Sequence, residues 1–202
     1  MERNLQSIAE EAMKKMGVTG QFLAVLPVED SITQVASALG VKVDIQPGIV
    51  WAVGIIFINK QKLDLVSTEE WNFVMHHECA HIFRNDSIAS LIFNIPELYA
   101  KYVEIVDKNN LPKLIIDLVK SWDILVNQKK PMNAQLLRMQ ELEADKLAVK
   151  TMRNKKIAIQ FFTRISNGNM NGSSHDFELF YQPYPALTWG ERIAALEELK
   201  DY

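Results

Sequence analysis

The chain has 202 residues, a formal net charge of −3, and 48% hydrophobic against 23% charged residues, a composition typical of one ordinary globular domain. No long block of one charge sign occurs, so nucleic acid is not expected as a partner. The N-terminus lacks the apolar segment of a signal peptide, and no apolar run approaches the ~20 residues that span a bilayer. A single cysteine, Cys79, is typical of a reducing compartment, so we expect a cytoplasmic protein.

Residues 1–60 are predicted to combine helices with short strands in an N-terminal α/β part that has edge strands. Gly17 and Gly40 are expected to end two helices, and Pro47-Gly48 to form a turn. The predicted helices are Leu5–Met16 and Ser31–Leu39, and the predicted strands are Phe22–Leu26, Val41–Ile45, Ile49–Val53 and Ile55–Asn59.

The last of these strands are expected to lie beside the helix that follows them. An exposed sheet edge can bind an extended peptide as an additional strand. The predicted substrate-binding residues are Val50, Trp51, Ala52 and Val53. The alternative is that these apolar residues serve only to pack the core.

Residues 61–202 are predicted to be mainly helical. Together with the small N-terminal sheet they indicate an α+β fold and a single domain over residues 1–202. The predicted helices are Trp71–Asp86, Ile88–Asn94, Pro96–Asp107, Pro112–Val126, Met132–Met152, Lys155–Ile165 and Trp189–Leu199, with a loop at Ser166–Ser174.

The sequence His77-Glu78-Cys79-Ala80-His81 lies on the helix for which Ser67 and Glu70 form a predicted capping box. His77 and His81 are four residues apart and therefore lie on one helix face, where two imidazoles can hold a zinc ion. Glu78 can reach a water in the open position of the zinc ion, which is the H-E-x-x-H arrangement of zinc metalloproteases. His76 lies on a different face and is expected at the surface or in support of the ligands.

The third ligand is expected in a later helix. Glu141 and Asp145 share a face that is otherwise small and apolar, so two repelling carboxylates there need a positive partner. We assign Glu141 as the ligand and Asp145 as the acceptor of the free N–H of a ligand histidine. Glu143 lies three residues from Lys146 and is expected to form a solvated pair with it. The alternative is that Glu141 and Asp145 both lie at a solvent-facing edge.

With these motifs placed, the sequence resembles the gluzincin metallopeptidases, and among them the HtpX and CAAX prenyl protease family. The resemblance extends from Ile49 to the C-terminus and rests on the apolar hairpin, the H-E-x-x-H helix, Asp86, Glu141-x-x-x-Asp145 and Glu191-Arg192-Ile193. It implies a zincin-like domain with one zinc ion per chain.

The family also has a C-terminal His-Pro, whose histidine is thought to stabilise the oxyanion. Here Tyr184-Pro185 stands in its place, and the Tyr184 hydroxyl could donate the same hydrogen bond; Tyr181 and His175 are alternatives. The resemblance assigns Arg192 to orienting this segment or binding substrate. The membrane-spanning helices of the family are absent from this sequence.

The predicted function is that of a zinc endopeptidase acting on a peptide or protein, with Glu78 as general base and His77, His81 and Glu141 as ligands. One alternative is a latent or inactive regulatory protein that binds a partner peptide; the intact Glu78 argues against it. Another is a repressor-cleaving protease of the ImmA/IrrE type, although no DNA-binding module is evident.

Overall fold

The computed structural model describes residues 2–28, 35–86, 135–168 and 187–200. In this part of the chain, helices and a three-stranded sheet form an α+β fold that is mainly helical, as predicted. The elements are α1 (Glu2–Lys15), β1 (Gly20–Val28), β2 (Ala36–Gln46), β3 (Ile49–Asn59), α2 (Thr68–Phe83), α3 (residues 135–152), α4 (Lys155–Ser166) and α5 (Trp189–Glu197).

The sheet has the strand order β1-β3-β2, so β3 is its central strand. β3 pairs in parallel with β1 and antiparallel with β2. The prediction of an exposed edge at Val50–Val53 is therefore wrong, because these residues are paired on both sides and cannot accept a further strand. The two predicted runs flanking Gly54 form one continuous strand.

The predicted helix Ser31–Leu39 is also wrong from Ala36 onwards, because Ala36–Gln46 is strand β2. The residues before Val35 that belong to this prediction lie outside the described part. The prediction took Gly40 for a helix end, whereas Gly40 lies in the sheet opposite Gly54. A Cβ at Gly40 would come 2.5 Å from the Val53 carbonyl oxygen, so only glycine allows this close approach.

One face of the sheet packs against α1 and α2. Ala52, Ile56 and Ile58 of β3 are fully buried on this side, and Ile82 of α2 packs against Gly54, where a Cβ would come 2.6 Å from Ile82 Cδ1. The small residue lets the helix approach the sheet closely. This contact fixes α2 against the sheet through Ile82, which lies about 100° around the helix from His81.

The start of α2 has the predicted capping box. The Ser67 hydroxyl accepts a hydrogen bond from the Glu70 backbone N–H, and the Glu70 carboxylate accepts one from the Ser67 N–H. Arg164 of α4 binds the same carboxylate through two hydrogen bonds of 2.9 and 2.7 Å. Helix α2 is thus held at its N-terminus both locally and by a distant part of the chain.

At its other end, α2 stops at Phe83 rather than at the predicted Asp86. Asn85 adopts a φ of 60°, a left-handed conformation that asparagine tolerates. Its side-chain amide accepts a hydrogen bond from the Lys42 N–H and donates one to the Lys42 carbonyl. These bonds tie the end of the helix to β2 and thereby position Asp86, the residue that follows Asn85.

The remaining predictions in the described part are confirmed with small changes of boundary. Gly17, with a φ of 91°, ends α1; the Val18 N–H binds the Met13 carbonyl in a Schellman motif. The predicted helices Ile88–Asn94, Pro96–Asp107 and Pro112–Val126 lie outside the described residues, as do residues 132–134 of the predicted helix Met132–Met152 and residues 169–174 of the predicted loop Ser166–Ser174. None of the helices in the described part is both long enough and apolar enough to cross a membrane.

Candidate metal centre

His77 and His81 lie on the same face of α2, one turn apart. Their ring centroids are 4.6 Å apart and the ring planes are nearly perpendicular, at 87°. The two Nε2 atoms approach each other to 3.0 Å. Each ring therefore directs its Nε2 atom towards a common point.

Glu141 of α3 completes the set. Its Oε2 lies 3.4 Å from His77 Nε2, and its Oε1 lies 3.4 Å from His81 Nε2. Among the described residues, this trio is the group whose ligand atoms all lie within 4.8 Å of one another. Gln140 helps to position the helix, since its amide donates to the Asp86 carbonyl at 3.3 Å.

The opposite nitrogens of the two imidazoles bind carboxylates. His77 Nδ1 lies 2.8 Å from Asp145 Oδ1, and His81 Nδ1 lies 2.9 Å from Asp86 Oδ2. A carboxylate accepts hydrogen bonds, so His81 Nδ1 carries the hydrogen, and in the neutral ring its Nε2 then presents its lone pair. Asp145 Oδ1 meets His77 Nδ1 as an ion-pair contact. Carboxylate–histidine pairs of this kind fix the tautomer that binds a metal.

The donor set fits a divalent cation. Two lone-pair nitrogens and two carboxylate oxygens converge with spacings of 3.0–3.4 Å, and they repel one another unless a proton or a metal ion lies between them. A tetrahedral zinc ion with bonds of about 2.0–2.1 Å separates its ligand atoms by about 3.3 Å. The trio thus has the chemistry and the spacing of a three-ligand zinc site.

Arg192 of α5 lies behind the two carboxylates of α3. Its Nε and Nη2 donate to the two oxygens of Asp145 at 2.7 and 2.6 Å, and its Nη1 lies 3.2 Å from Glu141 Oε2. The guanidinium is stacked over the Phe162 ring, 4.3 Å from its centroid. This buried cation holds Asp145 and Glu141 in the orientation that faces the histidines.

The charges of this network are mutually stabilising. Burial opposes ionisation of Glu141, yet its bonds to His77 and His81 keep the pKa of the carboxyl well below its usual value. Burial likewise opposes ionisation of Asp145, and Arg192 keeps its pKa low. Burial lowers the pKa of His81, but the bonds to Asp86 and Glu141 outweigh it and raise the pKa to about 10.

Glu78 is next to His77 on α2 and is only 6% exposed. Burial raises the pKa of its carboxyl, and the neighbouring His77 and His81 partly offset this rise. A carboxyl whose pKa is shifted towards neutrality can accept a proton and release it again in one reaction cycle. Glu78 is therefore a buried carboxyl beside His77 whose pKa is raised.

The structure places other predicted residues elsewhere. His76 is buried rather than at the surface, 1% exposed, with Nδ1 2.8 Å from the Asn72 carbonyl oxygen. Glu143 forms its pair with Lys146 at 3.0 Å, as predicted. Cys79 is buried, and its thiol donates to the Ala9 carbonyl. Tyr184, Tyr181 and His175 lie outside the described residues.

The four predicted substrate-binding residues do not form one surface. Ala52 faces the helices and is fully buried, whereas Trp51 and Val53 are 45% and 50% exposed on the opposite side of the sheet, because side chains alternate along a strand. Sequence reasoning did not identify the partners of two residues. Asp86 contacts His81. Arg192 was assigned to orienting its own segment or binding substrate, whereas it contacts Asp145 and Glu141. The acid five residues after His81 was the available signal for Asp86.

Metal binding should displace protons from this site. The pKa of His81 in the metal-free protein is raised to about 10, so at neutral pH the ring carries a proton that zinc must replace. We expect zinc affinity to fall as pH falls and at least about one proton to be released per zinc at pH 7.5, because the pKa of His77 is raised as well. Calorimetric titrations in two buffers with different ionisation enthalpies measure this number.

The matched variant for this titration is Asp86→Asn. It removes the carboxylate that raises the pKa of His81, so fewer protons should be released at the same pH. Equal heats in both buffers for the wild-type protein would contradict this account of the site.

Comparison with known proteins gives one match. The family model described as Peptidase family M48 matches residues 2–200, almost the whole chain. This match confirms the resemblance to the HtpX and CAAX prenyl proteases inferred from the motifs. No curated protein and no solved structure matches the chain.

Proposed function

Since this chain belongs to peptidase family M48, a family of zinc metallopeptidases, we propose that it is a zinc-dependent endopeptidase with His77, His81 and Glu141 as ligands and Glu78 as general base. The observation that carries the proposal is the convergence of the two Nε2 atoms and the Glu141 carboxylate within 3.0–3.4 Å. Three protein ligands leave a fourth tetrahedral position open, which is typical of catalytic rather than structural zinc.

When bound, zinc would lower the pKa of a water molecule towards neutrality and polarise the scissile carbonyl. Glu78 takes the proton from the attacking water and passes it to the leaving amine. The burial of Glu78 supports this role, because it raises the pKa of the carboxyl and lets the proton leave again.

Asp86 holds His81 in the Nδ1–H tautomer, Asp145 contacts Nδ1 of His77, and Arg192 holds Asp145 and Glu141. We propose Arg192 as a positioning residue, since its donors are directed to these two acids. Tyr184 is proposed to donate a hydrogen bond to the developing oxyanion, with Tyr181 and His175 as alternatives. The proposed substrate is a peptide or protein, and the free, buried Cys79 supports a cytoplasmic location.

Removal of each proposed ligand tests the metal site. We expect the wild-type protein to hold one zinc ion per chain after dialysis, measured by mass spectrometry of the metal. His77→Ala, His81→Ala and Glu141→Ala should each lose most of this zinc, because two ligands bind far more weakly than three.

Glu143→Ala is the matched control on α3. Glu143 lies two residues from Glu141, but its side chain is about half exposed and pairs with Lys146. The control should keep its full zinc content. A Glu141→Ala protein with undiminished zinc would remove Glu141 from the ligand set.

A further inference from the structure

The side of the sheet that faces away from α1 and α2 is apolar and exposed. Along the described strands, side chains alternate between the two sides, and none that points away from the helices carries a charge. We call this side the outer face; its large exposed residues are Phe22, Leu26, Leu39, Val43, Ile45, Trp51 and Val53.

These residues form continuous rows across the strands. Phe22, Val53 and Val41 are neighbours in register, as are Trp51 and Val43. Trp51 lies flat over Gly20, where a Cβ would come 2.5 Å from its indole ring. The outer face is therefore a continuous apolar layer, whereas a sheet with one solvated side normally presents polar side chains there.

Side-chain amides block pairing at both edges of the sheet. Gln6 of α1 accepts a hydrogen bond from the Val25 N–H and donates one to the Leu23 carbonyl at the edge of β1. Asn85 binds the backbone of Lys42 on β2 in the same way. Occupied edges oppose edge-to-edge association at these positions, so of the surfaces of the described sheet the outer face remains available to a partner.

We propose that the outer face binds the outer face of a second copy of this chain, forming a two-fold symmetric β-sandwich. From the exposed fractions of its seven large residues, the face offers about 700 Å² per copy, close to the ~800 Å² per partner of a stable interface. A flat apolar face without charge is self-complementary, as an isologous two-fold interface requires. Stacked sheets bury such faces about 10 Å apart.

The proposed dimer leaves both metal centres accessible. The histidines lie on α2, which packs on the other side of the sheet. The inference does not depend on the proposed function, because a chain without zinc or activity would present the same face. Loss of dimerisation should accordingly leave zinc content per chain unchanged.

Sedimentation equilibrium between 1 and 100 µM tests the proposal. We expect the wild-type protein to dimerise in this range, and Val53→Lys to raise the dissociation constant more than about a hundredfold, since it would bury two unpaired charges. Met139→Lys is the matched control; Met139 is 59% exposed on α3 and should leave the dimer intact. Zinc content and the thermal midpoint establish that both variants fold.

A cross-linking variant provides a second test that does not disrupt the face. Val53→Cys places a thiol at the centre of the outer face and should be linked into dimers by a short bismaleimide cross-linker, whereas Glu143→Cys on α3 should not; Cys79 is buried. A wild-type protein that stays monomeric at 100 µM would overturn the proposal, as would equal effects of Val53→Lys and Met139→Lys. A monomer that co-sediments with phosphatidylcholine vesicles would also overturn it and would assign the face to a lipid surface.

Discussion

Replacing Glu78 with glutamine is expected to lower peptide-bond cleavage by a factor of about 10²–10⁴, the usual contribution of a general base, while one zinc ion per chain remains bound. Glutamine keeps the shape of the side chain but cannot accept the proton of the attacking water. Glu78 is not among the three converging ligand residues, so the metal site should be unaffected. Turnover under saturating substrate, with metal content measured on the same sample, provides the readout.

The matched control is Glu69→Gln, the same substitution on the exposed first turn of α2. It should leave turnover within about a factor of two, because this residue lies about two turns from His77. Equal turnover of Glu78→Gln and the wild-type protein would remove Glu78 from the mechanism. Loss of zinc in Glu78→Gln would instead show that the residue supports the ligands.

Replacing Arg192 with alanine should have the largest effect on the metal-free protein. Asp145 is 1% exposed, and Arg192 satisfies both of its oxygens. Removing one partner of a buried ion pair leaves an uncompensated charge, which typically costs about 3–5 kcal/mol of unfolding free energy. Zinc affinity should fall by about 10–100-fold as well, because Asp145 and Glu141 lose their orientation.

Two further variants separate charge from geometry at this position. Arg192→Lys keeps the charge but loses the planar pair of donors, so its stability should lie between that of the wild-type protein and Arg192→Ala. Lys146→Ala breaks an exposed pair on α3 and should cost less than about 1 kcal/mol. Denaturant unfolding of the metal-free proteins gives these values; an Arg192→Ala cost no larger than that of Lys146→Ala would contradict the described role.

The part of the site that lies within one helix could be predicted from sequence. Ser67, Glu70, His77 and His81 act through contacts three or four residues apart, and these distances are fixed by helix geometry. The same rule places Glu141 and Asp145 on one face of α3. Their approach to α2 was inferred from the need for a positive partner, and the structure brings them to the histidines.

The contacts between distant segments could not be read from periodicity. Arg192 and Asp145 are 47 residues apart in sequence, and only the packing of α5 against α3 makes them partners. The central position of β3 follows from a parallel pairing with β1, which the local pattern does not encode. The prediction that Val50–Val53 form an exposed edge of the sheet was wrong for this reason.

The error at Ala36–Leu39 has a related cause. Alanine, serine and leucine before a glycine are typical of a helix end. In the structure these residues pair with Ile55–Ile58 of β3, because strand formation depends more on neighbouring strands than on intrinsic preference. The division of the chain at residue 60 within one domain stays a prediction.

The most direct test of the endopeptidase proposal is cleavage of a peptide library by the zinc-loaded wild-type protein and by Glu78→Gln in ¹⁸O-enriched water. We predict that the wild-type protein cuts internal peptide bonds and that each new C-terminal carboxyl carries one ¹⁸O atom, detected by mass spectrometry. Products of Glu78→Gln should be reduced at least about a hundredfold. A wild-type protein that holds one zinc ion per chain but cleaves no more than Glu78→Gln would contradict the proposal.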